Sequence, residues 1–578
     1  MKLRSMHFAL ALLAGAMVVP VAGAEDYRPA QWNLDARRKF ADQRFGIFIV
    51  FGLYSNYSQG EWYLHHPDCN RDPEAYERMI DGFYPSAYNA KEWARIVKDS
   101  GAKYITITTR HHDGFALWPS KVDDWNVKNT PFKRDIIGEL DQACQEEGIQ
   151  LNLYYSLLDW HRADYTPGRA CNAVVRPRQP NYASYKKYMM DQIAELCTWY
   201  HPGNIWFDGE WDHIDKDRGG NFDWQFDDIF DLIHSHKVLV ANNNHKNIRP
   251  KEDIQLFERD LPGEGSMFSR GMTVVQDRPL EQCDVLQKNV WGYRIGEHNF
   301  LTPEQVVAMT AKSAAKGANM LMNVGPDGSG RFPRQCVEIL AAVGKWFRQN
   351  GESIYGTEAG GVFQGGQVVS TRKGGTLYIH FLDPAVKDFS FLADGQRVTV
   401  HCPRAQGDGY DVVVAKQVGN AKLSNLPPKA GTKPTWKVVA DTCKHPNNPA
   451  EAKFAIDGKA DTLWHSHPLP FDTVKPLPPP QSFTVDCTAA IEMKGFTYTP
   501  RMDGCKDGLV DLCEFHVSAD GVNWTLAARC EFKDLKTKVA PRRVPFAKPV
   551  KARYFRFTAC RSLPPKNNRI AVGDIDVW

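Results

Sequence analysis

Ile205-Trp206-Phe207-Asp208-Gly209 is an apolar run that ends in a carboxylate with a glycine directly behind it. Such a run reads as a buried strand, and a buried strand that delivers one acid at its C-terminal end is how a β/α barrel presents chemical groups. Just upstream, Tyr185, Met189, Ile193, Leu196 and Tyr200 recur at helical spacing, and Pro202-Gly203 separates that helix from the strand.

The same helix, glycine and strand unit repeats on both sides. Trp93, Ile96 and Val97 mark a helix face, Gly101 follows, residues 104–109 form a strand, and Arg110-His111-His112-Asp113-Gly114 form its polar exit. Gly148 precedes a strand at 149–155 that exits at Ser156, and further strands fit residues 45–51, 238–241, 254–257 and 320–324. Thr302-Pro303-Glu304-Gln305 predicts a helix start with an N-cap, a proline at the first position and a capping-box Gln, and Gly317 closes that helix. About seven or eight strands in alternation with helices predict a (β/α)8 TIM-like barrel, an α/β fold, over residues 25–350.

After Trp346 the pattern changes to short alternating strands, such as residues 376–380, separated by paired glycines, which predicts an antiparallel β-sandwich over 351–432. Residues 427–434 read as a proline-rich linker, and residues 433–578, with many short strands and no helical period, predict a second β-sandwich.

The 578 residues exceed what one core supports, and 71 basic against 68 acidic residues with no basic block argue against a nucleic-acid partner. Residues 1–24 combine Lys2 and Arg4, an apolar run over 8–19 and Ala22-Gly23-Ala24, the pattern of a cleaved signal peptide, which predicts a secreted or periplasmic protein. That run is shorter than the roughly 18 to 20 residues a membrane span needs, and no later segment is long and apolar enough for one. Thirteen Cys form neither a C-x-x-C pair nor a zinc-ribbon spacing, so no structural metal and no cofactor are predicted. Export would permit bridges among Cys487, Cys505, Cys513, Cys530 and Cys560.

A single strand-end acid suggests a second one. Glycoside hydrolysis uses two carboxyl groups, one to attack the anomeric carbon or activate water and one to protonate the leaving oxygen. Phe257-Glu258-Arg259-Asp260-Leu261-Pro262-Gly263-Glu264 follows a predicted strand and offers Glu258, Asp260 and Glu264, with Glu281 further along, and spacing alone does not choose among them. Glu61-Trp62-Tyr63, His111-His112, Trp118, Tyr154 and Trp291-Gly292-Tyr293 are suited to sugar binding, because aromatic faces pack on C–H surfaces while imidazoles and carboxylates bind hydroxyls.

Phe45-Gly46-Ile47-Phe48-Ile49, Gly52-Leu53-Tyr54-Ser55, Gly60-Glu61-Trp62-Tyr63, His111-His112-Asp113-Gly114-Phe115, Tyr154-Tyr155-Ser156 and Trp206-Phe207-Asp208-Gly209, in that order, resemble glycoside hydrolase family 29, the retaining α-L-fucosidases. The resemblance covers about residues 27–430 and implies a barrel followed by a β-sandwich, with a terminal α-L-fucose of a glycan as substrate. It implies Asp208 as nucleophile and Glu264 as the preferred acid/base, with Glu258 and Glu281 as alternatives. Glu61, Trp62, His111, His112, Tyr154 and Trp291 would bind the sugar. Two departures stand out. Val50 occupies the place of a pocket His, which removes a polar contact worth about 1 to 3 kcal/mol and opens two alternatives, a related α-L-galactosidase or a non-catalytic glycan-binding protein. Asn242-Asn243-Asn244-His245 replaces an Arg-bearing strand end, with His245 as the substitute ligand. Residues 456–458, 462–465 and 574–578 resemble the discoidin or F5/8 type C carbohydrate-binding sandwiches, which implies glycan targeting or a structural appendage.

Overall fold

Eight parallel strands curl into a nearly closed barrel: β1 (Phe45–Ile49), β2 (Tyr104–Arg110), β3 (Gln150–Ser156), β4 (Asn204–Asp208), β5 (Leu239–Asn242), β6 (Gln255–Glu258), β7 (Leu280–Val285) and β8 (Ala318–Val324). The hydrogen-bonded order is β5-β4-β3-β2-β1-β8-β7-β6, and a parallel bridge between Ala241 and Ile254 joins the two ends. This computed structural model describes residues 27–65, 72–168, 177–213, 222–243, 248–265, 268–269, 272–403, 412–419, 421–425, 433–443, 451–458, 462–466, 478–502, 508–535, 537–563 and 569–578. The predicted signal peptide, His245, Cys505 and most of the predicted linker lie outside the described residues.

The strands form where apolar residues fill both faces, as parallel strands covered by helices require. β1, β2 and β8 are buried at every position. The helix Ala90–Asp99 begins where the Asn89 side chain accepts from Glu92 N–H, and it buries Trp93, Ala94 and Val97 against the barrel. Asp135 caps the helix Ile136–Glu147 in the same way, and Gly148 at φ 70° ends it in the left-handed conformation that favours glycine. The expected Thr302 capping box is present, with Gln305 N–H donating to Thr302 Oγ1 and Thr302 N–H to Gln305 Oε1. The (β/α)8 plan is modified at two crossovers: among the described residues no α-helix joins β5 to β6 or β6 to β7.

β7 is the strand that the sequence pattern did not predict. Its Leu-Glu-Gln-Cys-Asp-Val sequence lacks an apolar run because two of its polar side chains are satisfied inside the fold. Glu281 accepts from Tyr104 OH and Trp206 Nε1–H, and Gln282 Oε1 accepts from Ser313 Oγ–H.

Beyond the barrel the described strands pair antiparallel, with one isolated parallel bridge between Leu509 and Ala571. One sheet orders the strands Val413–Val418, Thr376–Phe381, Val368–Lys373 and Glu358–Gln364, and a smaller one orders Gln396–His401, Asp388–Ala393 and Leu423–Ser424. A third sheet is built on the long bulged strands Gln481–Pro500 and Arg542–Ser562 and packs its own core around Trp464, Phe483, Phe515 and Phe557. Among the described residues no helix is long and apolar enough to cross a membrane.

Candidate active site

The C-terminal ends of the barrel strands surround a cavity of about 400 Å³, within the size range of small-molecule sites. Its floor is aromatic: Phe48 lies 5.4 Å from Trp206 and 5.9 Å from Trp291 between ring centroids, and Tyr154 stacks on Trp206 at 5.5 Å. Val50 lines the same cavity and presents only methyl groups.

Asp208 reaches the cavity because β4 ends on it and Gly209 turns the chain away at φ 93°. A Cβ on Gly209 would lie 2.7 Å from Leu158 Cβ and 2.8 Å from Leu158 N, so both the backbone angle and the packing require glycine there. Leu157 N–H donates to Asp208 O at 2.7 Å and fixes the strand end. The carboxylate accepts from Tyr154 OH at 2.9 Å on Oδ2, and from Trp211 Nε1–H at 2.8 Å and Asn243 Nδ2–H at 3.3 Å on Oδ1.

His111 and His112 follow β2 and are buried, which pushes both imidazoles well below their usual range and keeps them neutral. Ser156 Oγ donates to Leu158 O at 2.6 Å, so toward His112 Nδ1, 2.7 Å away, it acts as acceptor. That places the His112 proton on Nδ1 and leaves Nε2, 3.6 Å from Asp208 Oδ2, as an acceptor for a ligand hydroxyl. His111 stacks on the Tyr154 ring at 5.6 Å. Glu61 Oε2 accepts from Gly292 N–H at 2.7 Å and Trp291 N–H at 3.2 Å, which ties the loop after β1 to the Trp291 loop, and burial raises its carboxyl above the usual range.

The structure also separates the competing acids. Glu258 ends β6, lines the cavity and accepts from Asn243 Nδ2–H at 2.9 Å. Glu264, preferred from the sequence, is not among the cavity-lining residues. Arg259, which also lines the cavity, bends the chain at φ 51° immediately after Glu258, and Glu264 sits in the turn that its N–H closes onto Leu261 O at 3.0 Å. Asp260 is buried under Ser269, which donates to it. Glu281 lies one layer below the cavity floor, where Trp206 Nε1–H at 2.9 Å and Tyr104 OH at 2.6 Å both donate to it. Of the sugar-binding candidates, Glu61, Trp62, His111, His112, Tyr154 and Trp291 line the cavity together. Trp118 does not; it is fully buried and donates to Glu195 Oε2 at 3.0 Å.

Trp211 and Asn243 were missed. Asn243 follows β5 as Asp208 ends β4, so strand-end position was the available signal, and the sequence reading fell two residues beyond it on His245. Trp211 lies three residues after Asp208 and carried no signal beyond that proximity.

Burial pushes the Glu281 carboxyl up to about 7 from an ordinary value of 4.5. The unfolded chain releases this proton near pH 4.5 while the fold holds it to about pH 7, so stability is lost as pH rises across that window and levels off above it. The whole contribution is about 3 kcal/mol. Glu281→Gln does not ionise, and Tyr104 OH accepts as well as it donates, so the variant is expected to abolish this slope. Denaturant midpoints of both proteins at pH 5 and pH 8 check it; parallel pH dependences would refute it.

A parallel barrel with paired carboxylates at strand ends, neutral imidazoles and an aromatic floor is the architecture of a glycoside hydrolase. Comparison with known proteins defines the kind. The family model described as Alpha-L-fucosidase matches residues 16–352, and that of the F5/8 type C domain matches residues 437–571. The chain is 29% identical over 386 residues to tissue alpha-L-fucosidase of Homo sapiens, covering 62% of this chain and 78% of that one. It is 30% identical over 369 residues to plasma alpha-L-fucosidase of Homo sapiens, covering 58% and 74%. Among solved structures, alpha-L-fucosidase isoenzyme 1 from Paenibacillus thiaminolyticus matches with a TM-score of 0.57 at 30% identity, over 68% of this chain and 100% of that one. The alpha-fucosidase of Thermotoga maritima matches at 0.53 and 27% identity, over 66% and 96%. The chain belongs to the α-L-fucosidase family.

Proposed function

We propose that this α-L-fucosidase removes terminal α-L-fucose from glycans with retention of configuration, using Asp208 as nucleophile and Glu258 as acid/base. The observation that carries the reading is the shared amide of Asn243. One nitrogen donates to Asp208 at 3.3 Å and to Glu258 at 2.9 Å. Those two oxygens therefore lie at most about 6 Å apart, a bound that admits the roughly 5 to 5.5 Å separation of a retaining pair and falls short of the roughly 6.5 to 9.5 Å that admits an inverting water.

In the first step an Asp208 oxygen bonds to the anomeric carbon as the bond to the leaving oxygen breaks, and the Glu258 proton passes to that oxygen. In the second, Glu258 takes a proton from water, the water oxygen bonds to the anomeric carbon, and the Asp208 ester breaks to regenerate the carboxylate. His112 Nε2 accepts from a sugar hydroxyl, and the aromatic floor packs on the C–H face of the ring. The cavity size and its closed floor support removal of a single terminal sugar.

Proton NMR of the first-formed fucose tests the stereochemistry. Early accumulation of the α-anomer is expected; the β-anomer appearing first would overturn retention. The basic, apolar and small-residue pattern of residues 1–24 supports export. Mass spectrometry of the exported protein is expected to read Glu25 at its N-terminus, and an intact Met1 would refute cleavage.

A further inference from the structure

Trp211 lines the cavity from a turn in which its two neighbours, Glu210 and Asp212, are held by other partners. The 3-10 turn Glu210–His213 begins directly after Gly209, and Asp212 N–H donates across it to Gly209 O at 3.1 Å. Glu210 is buried and held by Arg249 Nη1 at 3.0 Å and Asn242 Nδ2 at 2.8 Å. Asp212 is buried and held by Tyr165 OH at 2.9 Å and Gly168 N–H at 3.0 Å. The Trp211 ring stacks on Trp62 at 5.7 Å and meets the His112 ring edge-on at 5.5 Å, and its indole N–H donates to Asp208 Oδ1 at 2.8 Å.

The two oxygens of Asp208 are thus held from different elements. Tyr154 on β3 holds Oδ2, while Trp211 on the turn and Asn243 after β5 hold Oδ1. Rotating the carboxylate about its Cβ–Cγ bond breaks both sets at once. All three donors are neutral, so they orient the carboxylate without pairing it with a formal charge that would oppose its attack. Packing alone would account for the partly buried ring; it would not account for an indole N–H directed at one oxygen of the strand-end acid.

We infer that Trp211 is a positioning residue for the fucosidase reaction: its indole N–H locks the rotation of the Asp208 carboxylate so that an oxygen faces the anomeric carbon. The inference rests on Asp208 being the nucleophile. A lost hydrogen bond to a charged group that acts in the transition state corresponds to about tenfold to hundredfold in rate.

The test compares two variants that separate ring from donor. Trp211→Phe keeps an aromatic ring against Trp62 and His112 and removes the N–H, whereas Trp211→Gln keeps an N–H donor and removes the ring. With 4-nitrophenyl α-L-fucoside, Trp211→Phe is expected to lose about tenfold to hundredfold in kcat, while its inhibition constant for L-fucose stays within about threefold of the parent. Trp211→Gln is expected to recover part of the lost kcat relative to Trp211→Phe. A Trp211→Phe enzyme within about threefold of the parent in kcat would overturn the inference. So would a Trp211→Gln enzyme slower than Trp211→Phe, or loss of L-fucose binding in both variants, since either result makes the residue a packing element. Asp208→Ala run alongside distinguishes the premise: parent-like turnover there would refute the nucleophile assignment itself, whereas an inactive Asp208→Ala beside a parent-like Trp211→Phe refutes only the role of Trp211.

Discussion

Asp208→Ala is expected to lower kcat/KM for an aryl α-L-fucoside by at least about 10³-fold, because covalent attack is lost outright and no neighbouring group replaces it. The substitution removes a carboxylate that three donors surround, yet Tyr154, Trp211 and Asn243 keep other supports: the Tyr154 ring stacks on Trp206 and His111, Trp211 on Trp62, and Asn243 N–H donates to Phe207 O at 2.8 Å. The cavity therefore persists with a small gap lined by hydrogen-bond donors, which suits a small anion. Azide supplied at high concentration is expected to restore turnover of an activated aryl fucoside and to yield β-L-fucosyl azide, since the anion attacks from the side that Asp208 vacated. Full activity of Asp208→Ala without azide would remove Asp208 from the mechanism. An α-configured azide product would place the attacking group on the other face.

Glu258→Gln is expected to have the second large effect, and its size should depend on the leaving group. An aglycone that departs unaided, such as 2,4-dinitrophenolate, needs no proton, so the first step is largely spared. A sugar or methyl aglycone needs the proton and should lose about 10² to 10⁴-fold. Glu264→Ala, outside the cavity lining, is expected to stay within a few-fold of the parent on both kinds of substrate. A steep leaving-group dependence in Glu264→Ala with none in Glu258→Gln would return the acid/base role to Glu264.

Particular residues show where the sequence was readable. The strand at Asn204–Asp208 and the capping box at Thr302 follow from local rules of apolar runs and caps, which act through neighbours in the chain, whereas Glu61, Trp62, His111, His112, Tyr154 and Trp291 were legible from residue chemistry and from ordered motifs that resemble a known family. β7 was hidden because a strand carries Glu281 inward only where Tyr104 and Trp206, far away in sequence, supply donors. The proposed acid/base, Glu258, was hidden for a related reason. Glu258 and Glu264 are six residues apart, but Glu258 ends β6 while Glu264 follows the bend at Arg259, φ 51°, a conformation that residue type does not announce for arginine. Asn243 had the right strand-end position, but an amide that serves two carboxylates is visible only when both are placed.

Closure of the barrel pairs Phe45 with Met320 along β1 and β8. Groups around the cavity come from the ends of β1, β2, β3, β4, β6 and β7 and from the residue after β5, so no contiguous stretch of chain holds a working fraction of the site. A chain cut before β8 is therefore expected to lack hydrolysis, because the parallel pairing of β1 with β8 cannot form without it. Recovery of hydrolysis after dilution from denaturant is expected to lag the return of helical signal, because the site needs these long-range parallel pairings.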